Sequence, residues 1–144
     1  MIKGNMDETK SGYSAHVGGL VGKKLDDLNY EYHCEVKEIH LNTAKMAHGG
    51  FLMFVADTGM GNAAHQVSGN KRCVTISLEM KFITAASLGQ KLLTKVKIQR
   101  KTNTLVFLFC ELKCNNKIIN YISCPETEHL ILIPLVWPCI CYCL

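Results

Sequence analysis

The chain has 144 residues, of which 48% are hydrophobic and 19% charged, and its formal net charge is +4. This length and balance indicate one folded domain and exclude a disordered or low-complexity chain. Because lysine and arginine form no stretches interleaved with aromatic residues, we do not expect binding to nucleic acid. The first ten residues lack an apolar signal core and an arginine-rich presequence, so we expect a cytoplasmic protein, with a mitochondrial location left open.

The hydrophobic pattern predicts two strands and then the one convincing helix. Residues 17–26 and 29–39 alternate between apolar and polar side chains, and Asp26–Asp27 joins them. A helix is predicted from residue 49 to about residue 66. Its first turns are apolar on every side, which is typical of a buried helix, and the sequence Ser68–Gly69–Asn70 ends it.

Three further strands are predicted after the helix. They cover residues 73–83, 90–100 and 105–113, with hairpin turns at residues 101–104 and 114–117. The order of strand, strand, helix and hairpin-linked strands predicts an α+β fold. In it, an antiparallel sheet of five or six strands wraps around one long central helix.

The eight cysteines do not have the spacing of a metal site. Cys110 and Cys114 are four residues apart on a predicted strand, not in a zinc-binding turn. Cys34 and Cys73 also lie in apolar or strand-like stretches, where free buried thiols are common. We therefore predict no metal and no cofactor.

The C-terminal segment differs from the rest of the chain. All three prolines and the only tryptophan lie beyond Ser123, and residues 130–144 carry no charge. We predict a domain over residues 1–123 and an atypical apolar, Pro/Cys-rich tail over residues 124–144, interpreted as an alternative or shifted reading of the message. The uncharged stretch is shorter than the about 20 residues that span a membrane. Cys141, four residues from the end, leaves a prenylation signal as a less favoured alternative.

The most informative segment runs from Asn42 to Asp57. Within it, Gly49 and Gly50 open the predicted helix, so bare backbone N–H groups lie at the positive end of the helix dipole. Such an end suits an anion, or an oxygen that becomes one during a reaction. Asp57 lies inside the apolar helix, where a carboxylate costs several kcal/mol unless it is hydrogen-bonded or used. It is either a catalytic group or a brace to a neighbouring strand.

The spacing of these groups predicts a second chain. Gly49 and Asp57 are eight residues apart, or about 12 Å along a helix, so they cannot both contact one reacting carbonyl. If two helices pack antiparallel across a two-fold axis, the N-terminus of one meets the aspartate of the other. Gly59 and Gly61 would permit close approach of a neighbour or ligand, or are neutral packing choices.

Together these features resemble the hotdog-fold acyl-CoA thioesterases, in particular the phenylacetyl-CoA thioesterase-like branch. The similarity runs from about residue 14 to residue 120. It rests on Asn42, the His48–Gly49–Gly50 triplet, Asp57 and the strand over residues 75–82 with the Ala85–Ala86 pair and Gly89 that follow it. The chain departs from the family at Lys45, where many relatives have glycine, at Ala85, where proline is common, and at the final strand, which the tail replaces.

The resemblance implies hydrolysis of an acyl-CoA to a free acid and CoA. The Gly49 N–H would polarise the thioester carbonyl, and Asp57 of the partner chain would act as nucleophile or as general base. Asn42 and His48 would position the water or the thioester, and Thr75 matches a hydroxyl position beside the carboxylate. The family implies a homodimer or a dimer of dimers and a role in fatty acid metabolism.

Substrate-binding positions are predicted at Gly50, Lys71 and Arg72, the last two as contacts to CoA phosphates, although solvated surface lysines and arginines are the commoner explanation. A hotdog dehydratase is an alternative, but the region around His48 lacks the proline of its catalytic loop. A non-catalytic acyl-CoA-binding protein, or a defective isoform, is another. A metal-binding or membrane-anchored module built on the tail is the last.

Overall fold

A computed structural model of the chain describes residues 12–122 and the short strand at residues 131–132. These residues form two α-helices, one 3-10 helix and eight strands. In chain order they are α1 (Gly12–His16), β1 (Val21–Lys24), β2 (Asn29–Glu35), the 3-10 helix (Glu38–His40), α2 (Gly49–Val67), β3 (Val74–Thr75), β4 (Lys81–Phe82), β5 (Lys91–Lys101), β6 (Leu105–Cys114), β7 (Lys117–Ile122) and β8 (Ile131–Leu132).

All pairings between these strands are antiparallel. Six strands follow each other in the order β1-β2-β5-β6-β7-β4, while β8 pairs with both β6 and β3. The predicted fold class, an antiparallel sheet around one long helix, is confirmed. The predicted helix bounds are confirmed to within one residue, since α2 spans Gly49–Val67.

Helix α2 lies against the inner face of the sheet. Alternate residues of β5 and β6 are buried, as a strand with one face on a core requires. The helix buries eight residues, half of which are alanine or glycine: Phe51, Leu52, Val55, Ala56, Gly59, Met60, Ala63 and Ala64. These small residues let the sheet approach the helix closely.

The predicted turns form with the expected chemistry. Asp26 Oδ1 accepts hydrogen bonds from the N–H groups of Leu28 and Asn29, both at 2.8 Å, in the β1–β2 hairpin. Asn115 and Asn116 have φ of 49° and 64° in the β6–β7 turn, as a type I′ hairpin requires at both central positions. The turn residues therefore predicted correctly which strands are neighbours in these two hairpins.

The predicted continuous strand over residues 73–83 is wrong. Only its two ends are strands, because each end pairs with a different part of the chain: β4 with β7, and β3 with β8. The strands predicted at 17–26 and 29–39 are shorter in the structure, and α1 and the 3-10 helix were not predicted. Apart from residues 131–132, the tail lies outside the described residues, so its assignment as a separate segment stays a prediction.

The two glycines of α2 provide a test of this packing. A Cβ at Gly59 would lie 3.0 Å from the buried Tyr32 ring, whereas a Cβ at Gly61 would meet nothing within 4 Å. Both alanine substitutions gain helix propensity, but only Gly59→Ala crowds the Tyr32 ring, which must then shift by a few tenths of an ångström. We expect Gly61→Ala to stabilise the protein by about 0.5–1 kcal/mol. Gly59→Ala should be less stable than that variant by about 1–3 kcal/mol in urea unfolding. Equal effects would contradict this packing.

Candidate active site

The N-terminus of α2 leaves one backbone donor unengaged. His48 is the N-cap, with φ −64° and ψ 137°, and its Nδ1 accepts a hydrogen bond of 2.9 Å from the Gly50 N–H. Gly50, predicted to bind substrate, therefore uses its N–H within the cap. Within the described part of the chain, the Gly49 N–H has no acceptor. The half-buried Gly49 is thus the first free donor at the positive end of the helix.

Asn42 organises the loop that leads into this cap. Its side-chain Oδ1 accepts from the N–H groups of Ala44 at 2.9 Å and Met46 at 3.1 Å. Lys45 between them has φ of 61°, a left-handed conformation that glycine adopts with less strain. The Asn42 side chain therefore has a structural role, and its amide nitrogen has no acceptor among the described residues.

A buried histidine, His40, lies beside the cap and was not predicted from the sequence. The His40 ring stacks on Phe51 with centroids 3.7 Å apart. Its Nδ1 accepts from the Lys37 N–H at 2.9 Å, and its Nε2 lies 2.7 Å from the Val17 carbonyl oxygen. A neutral ring with its proton on Nε2 satisfies both contacts. No sequence motif marks this histidine, because its partners come from distant or loop positions.

His40, Phe51 and the cap line an open cleft of about 340 Å³. Its remaining walls are mostly apolar and include Tyr13, whose ring meets Phe54 edge-on at 5.0 Å. His48 and Gly50 form the polar rim of the cleft. The helix N-terminus therefore opens beside a partly apolar space.

Asp57 lies half-buried near the middle of α2, and Thr75 is brought to it from β3. The Thr75 Oγ1 donates a hydrogen bond of 2.6 Å to Asp57 Oδ1. The structure thus brings together two of the predicted residues that lie 18 positions apart. The contact fits a carboxylate oriented for chemistry, and it also fits the strand-bracing role that the sequence left open.

Other predicted residues lie apart from this pair. Gly49 and Asp57 share α2, at a separation of about 12 Å along its axis, so within one chain they cannot act on the same atom. Lys71 and Arg72 are exposed just beyond the opposite end of α2 from Gly49. The carbonyl of Lys71 lies 2.7 Å from His65 Nδ1, which fixes the backbone there but leaves the role of the side chain undefined.

The edge of the sheet beside the site is apolar and exposed. Val74, Ile76, Phe82 and Ile83 are each 52–57% exposed on β3, β4 and the adjoining residues. The Phe82 ring lies 3.5 Å from the point where a Cβ on Gly49 would be. An exposed apolar edge therefore runs from the strand that holds Asp57 to the N-terminus of α2.

Neither a metal centre nor a membrane helix is found in residues 12–122 and 131–132. No three histidine, cysteine, aspartate or glutamate side chains there converge as metal ligands. No helix in that part of the chain has the length and apolar character needed to cross a membrane. Cys34, Cys73, Cys110 and Cys114 are free, and burial raises the pKa of the Cys34 thiol to about 12.

Solved structures with the same architecture define the class as the hotdog fold. Thioesterase superfamily member 2 from zebrafish matches with a TM-score of 0.75 and 18% identity, over 88% of this chain and 89% of that chain. A mutant of the phenylacetic acid degradation protein PaaI from Thermus thermophilus matches with a TM-score of 0.73 and 19% identity, over 85% and 98%. A hypothetical thioesterase from Streptococcus pneumoniae, solved with coenzyme A, matches with a TM-score of 0.73 and 16% identity, over 83% and 89%.

The family follows from sequence. The model of the thioesterase superfamily matches residues 44–118, and the chain therefore belongs to that superfamily. No curated protein sequence matches the chain. The predicted family is confirmed, and the matched segment includes every predicted site residue except Asn42.

Protonation of His40 should destabilise the fold. Burial lowers the pKa of His40, so below an ordinary histidine value of about 6.5 the unfolded chain binds a proton that the folded chain resists. The contribution of His40 to stability is complete above that pH and is lost as the pH falls through the lowered pKa. We expect the free energy of unfolding, measured in urea between pH 7.5 and 5, to fall more steeply in the wild type than in His40→Gln. Parallel curves would contradict this assignment.

Proposed function

We propose that the chain hydrolyses an acyl-CoA thioester to a free carboxylic acid and CoA. The observation that carries the proposal is the Asp57 carboxylate, held by Thr75 in a helix whose N-terminus has a free Gly49 N–H. Membership of the thioesterase superfamily supports the reaction class. The coenzyme A bound to the streptococcal relative supports CoA as the leaving group.

In this reaction the carbonyl oxygen of the thioester accepts a hydrogen bond from the Gly49 N–H. Water adds to the carbonyl carbon, the C–S bond breaks, and the sulfur leaves as the CoA thiolate. Asp57 takes the proton from the attacking water, or attacks the carbon itself to form an anhydride that water then hydrolyses. The Gly49 N–H and the helix dipole stabilise the negative charge that develops on the oxygen. Both roles of Asp57 remain within the proposal.

Each site takes its two halves from different chains of a homodimer. The separation of about 12 Å between Gly49 and Asp57 along α2 excludes a site made by one helix. The apolar edge over Val74, Ile76, Phe82 and Ile83 supports a second copy as its occupant, because this edge adjoins both half-sites. A two-fold axis then gives two equivalent sites, and a dimer of dimers is compatible with the same interface.

The remaining predicted residues have supporting roles. Asn42 and His48 shape the loop and cap that expose the Gly49 N–H, and the Asn42 amide nitrogen is free to donate to water or the thioester. Gly50 has no side chain and so leaves room for the substrate at the rim of the cleft. Lys71 and Arg72 offer exposed cations to the CoA phosphates.

Replacing the carboxylate should remove turnover and leave the fold intact. Asp57→Asn keeps the size and an oxygen acceptor for Thr75 but removes the base, so we expect kcat to fall by about 10²–10⁴-fold. Asp27→Asn is the matched control, because Asp27 lies in an exposed turn and is paired only with Lys24 there. Activity should be followed across an acyl-CoA panel by chromatography, since the free cysteines would react with thiol-trapping dyes.

The panel also distinguishes the alternatives. Full activity in Asp57→Asn would contradict the assigned mechanism. Binding of acyl-CoA by the wild type without hydrolysis would support the non-catalytic alternative instead.

The Gly49 N–H can be removed without losing the helix. Proline is tolerated at the first position of a helix, and the extended His48 backbone suits a following proline. A Cβ at Gly49 would make only ordinary contact with Phe82, so Gly49→Ala is a control that keeps the N–H. We expect Gly49→Pro to lose about 10²-fold or more in kcat, as for loss of an oxyanion donor, and Gly49→Ala to lose far less.

Mixing two inactive proteins tests the shared site. Randomly assembled dimers of Gly49→Pro and Asp57→Asn chains should regain about a quarter of wild-type activity. Half of such dimers are mixed, and each mixed dimer has one intact site of two. Exchange of subunits, checked by native mass spectrometry, without any recovery would contradict a site built from two chains.

A further inference from the structure

Strand β8 lies between β6 and β3, the strand that carries Thr75. Ile131 and Leu132 pair with Val106 and Leu105 of β6 on one side. On the other side the same two residues pair with β3, with Ile131 opposite Thr75. The residue directly opposite the tail backbone is therefore the one that donates a hydrogen bond to Asp57.

Strand β3 depends on this pairing. It has only two residues, and β8 is its only strand partner in the described part of the chain. Two paired residues without a sheet are not stable in water, so β3 needs the link through β8 to β6. The next strand, β4, is held separately by β7 and does not place Thr75.

Among the strands that the structure describes, no other strand pairs with β3. Within the described residues, the ladder between β7 and β6 runs from Cys114 to Cys110 of β6 and does not include Leu105 or Val106. Without β8, the backbone groups of Leu105 and Val106 on this side would lose these partners, and β3 would lose the one strand with which it pairs in the described part of the chain.

We propose that Ile131 and Leu132 are positioning residues for the active site. Their backbone holds β3 at the distance where the Thr75 hydroxyl reaches Asp57, and that bond fixes the orientation of the carboxylate. The tail thereby acts on the reaction through Thr75, without contact with the substrate. This inference rests on the proposed function for its catalytic readout, and on the pairing alone for its structural one.

Proline and valine substitutions distinguish the contribution of the β8 backbone N–H groups from that of the β8 side chains. The full-length double variant Ile131→Pro, Leu132→Pro removes both backbone donors of β8. The double variant Ile131→Val, Leu132→Val shortens or changes the same side chains but keeps both donors. Successive residues of a strand direct their N–H groups to opposite neighbours, so the single proline variants are milder tests if the double variant does not fold.

The expected result is a loss of kcat that depends on Thr75. The double proline variant should lose about ten- to a hundredfold in kcat with little change in KM, whereas the valine variant should match the wild type. Thr75→Val should reproduce the loss, and combining it with the proline variant should add little. Amide hydrogen exchange in residues 73–78 should become faster in the proline variant only.

Several results would overturn the proposal. One is a wild-type kcat in the proline variants. Another is a combined variant whose loss of kcat equals the product of the separate proline and Thr75→Val losses. A third is an unchanged rate of amide exchange in residues 73–78. Failure of even the single proline variants to fold would assign β8 to global stability and overturn the positioning role as well. If the wild type hydrolyses no acyl-CoA, the proposed function fails, and the exchange measurement alone decides whether β8 holds β3.

Discussion

The fold depends on enclosing a helix that has no fully polar face in its first turns. Helix α2 has 19 residues, and leaving its apolar side chains in water would cost more than its hydrogen bonds return. A curled antiparallel sheet covers such a helix only if the two surfaces come close. Gly59 allows this approach, because the Tyr32 ring occupies the space that a larger side chain would need.

Much of this arrangement could be predicted from local sequence. The apolar run after Gly49–Gly50 predicted α2, and the Asn115–Asn116 pair predicted a tight hairpin, because each signal depends on residues within one element. The proximity of Thr75 to Asp57 came from the family resemblance, and the structure places their oxygens 2.6 Å apart. The roles assigned to both residues stay predictions.

What the sequence did not predict depends on partners distant in the chain. Alternation over residues 73–83 describes which side chains could line one face, but not whether a neighbouring backbone extends along the whole segment. Here the neighbour changes from β8 to β7, so the predicted strand divides into β3 and β4. His40 was not predicted for the same reason, since its ring is held by contacts with Phe51 and with backbone groups of Val17 and Lys37.

The pairing of residues 131–132 depends on main-chain groups. The resemblance predicted that the tail replaces the final strand, and Ile131 and Leu132 of this tail pair with both β6 and β3. Ladder hydrogen bonds join main-chain groups that every residue except proline supplies, so this pairing does not depend on the identity of the two side chains.

The geometry of α2 also limits how the proposed site can work. His48 accepts from the Gly50 N–H, so Gly49 has the one N–H of the first turn without an acceptor among the described residues, and the helix end is not a broad anion site. One donor orients one oxygen, which suits a carbonyl better than a phosphate group with several oxygens to satisfy. The carboxylate on the same helix is too far along the axis to reach that carbonyl. The proposed reaction therefore requires a carboxylate from another helix, and in the proposed dimer the two helices come together at the β3 edge beside Asp57.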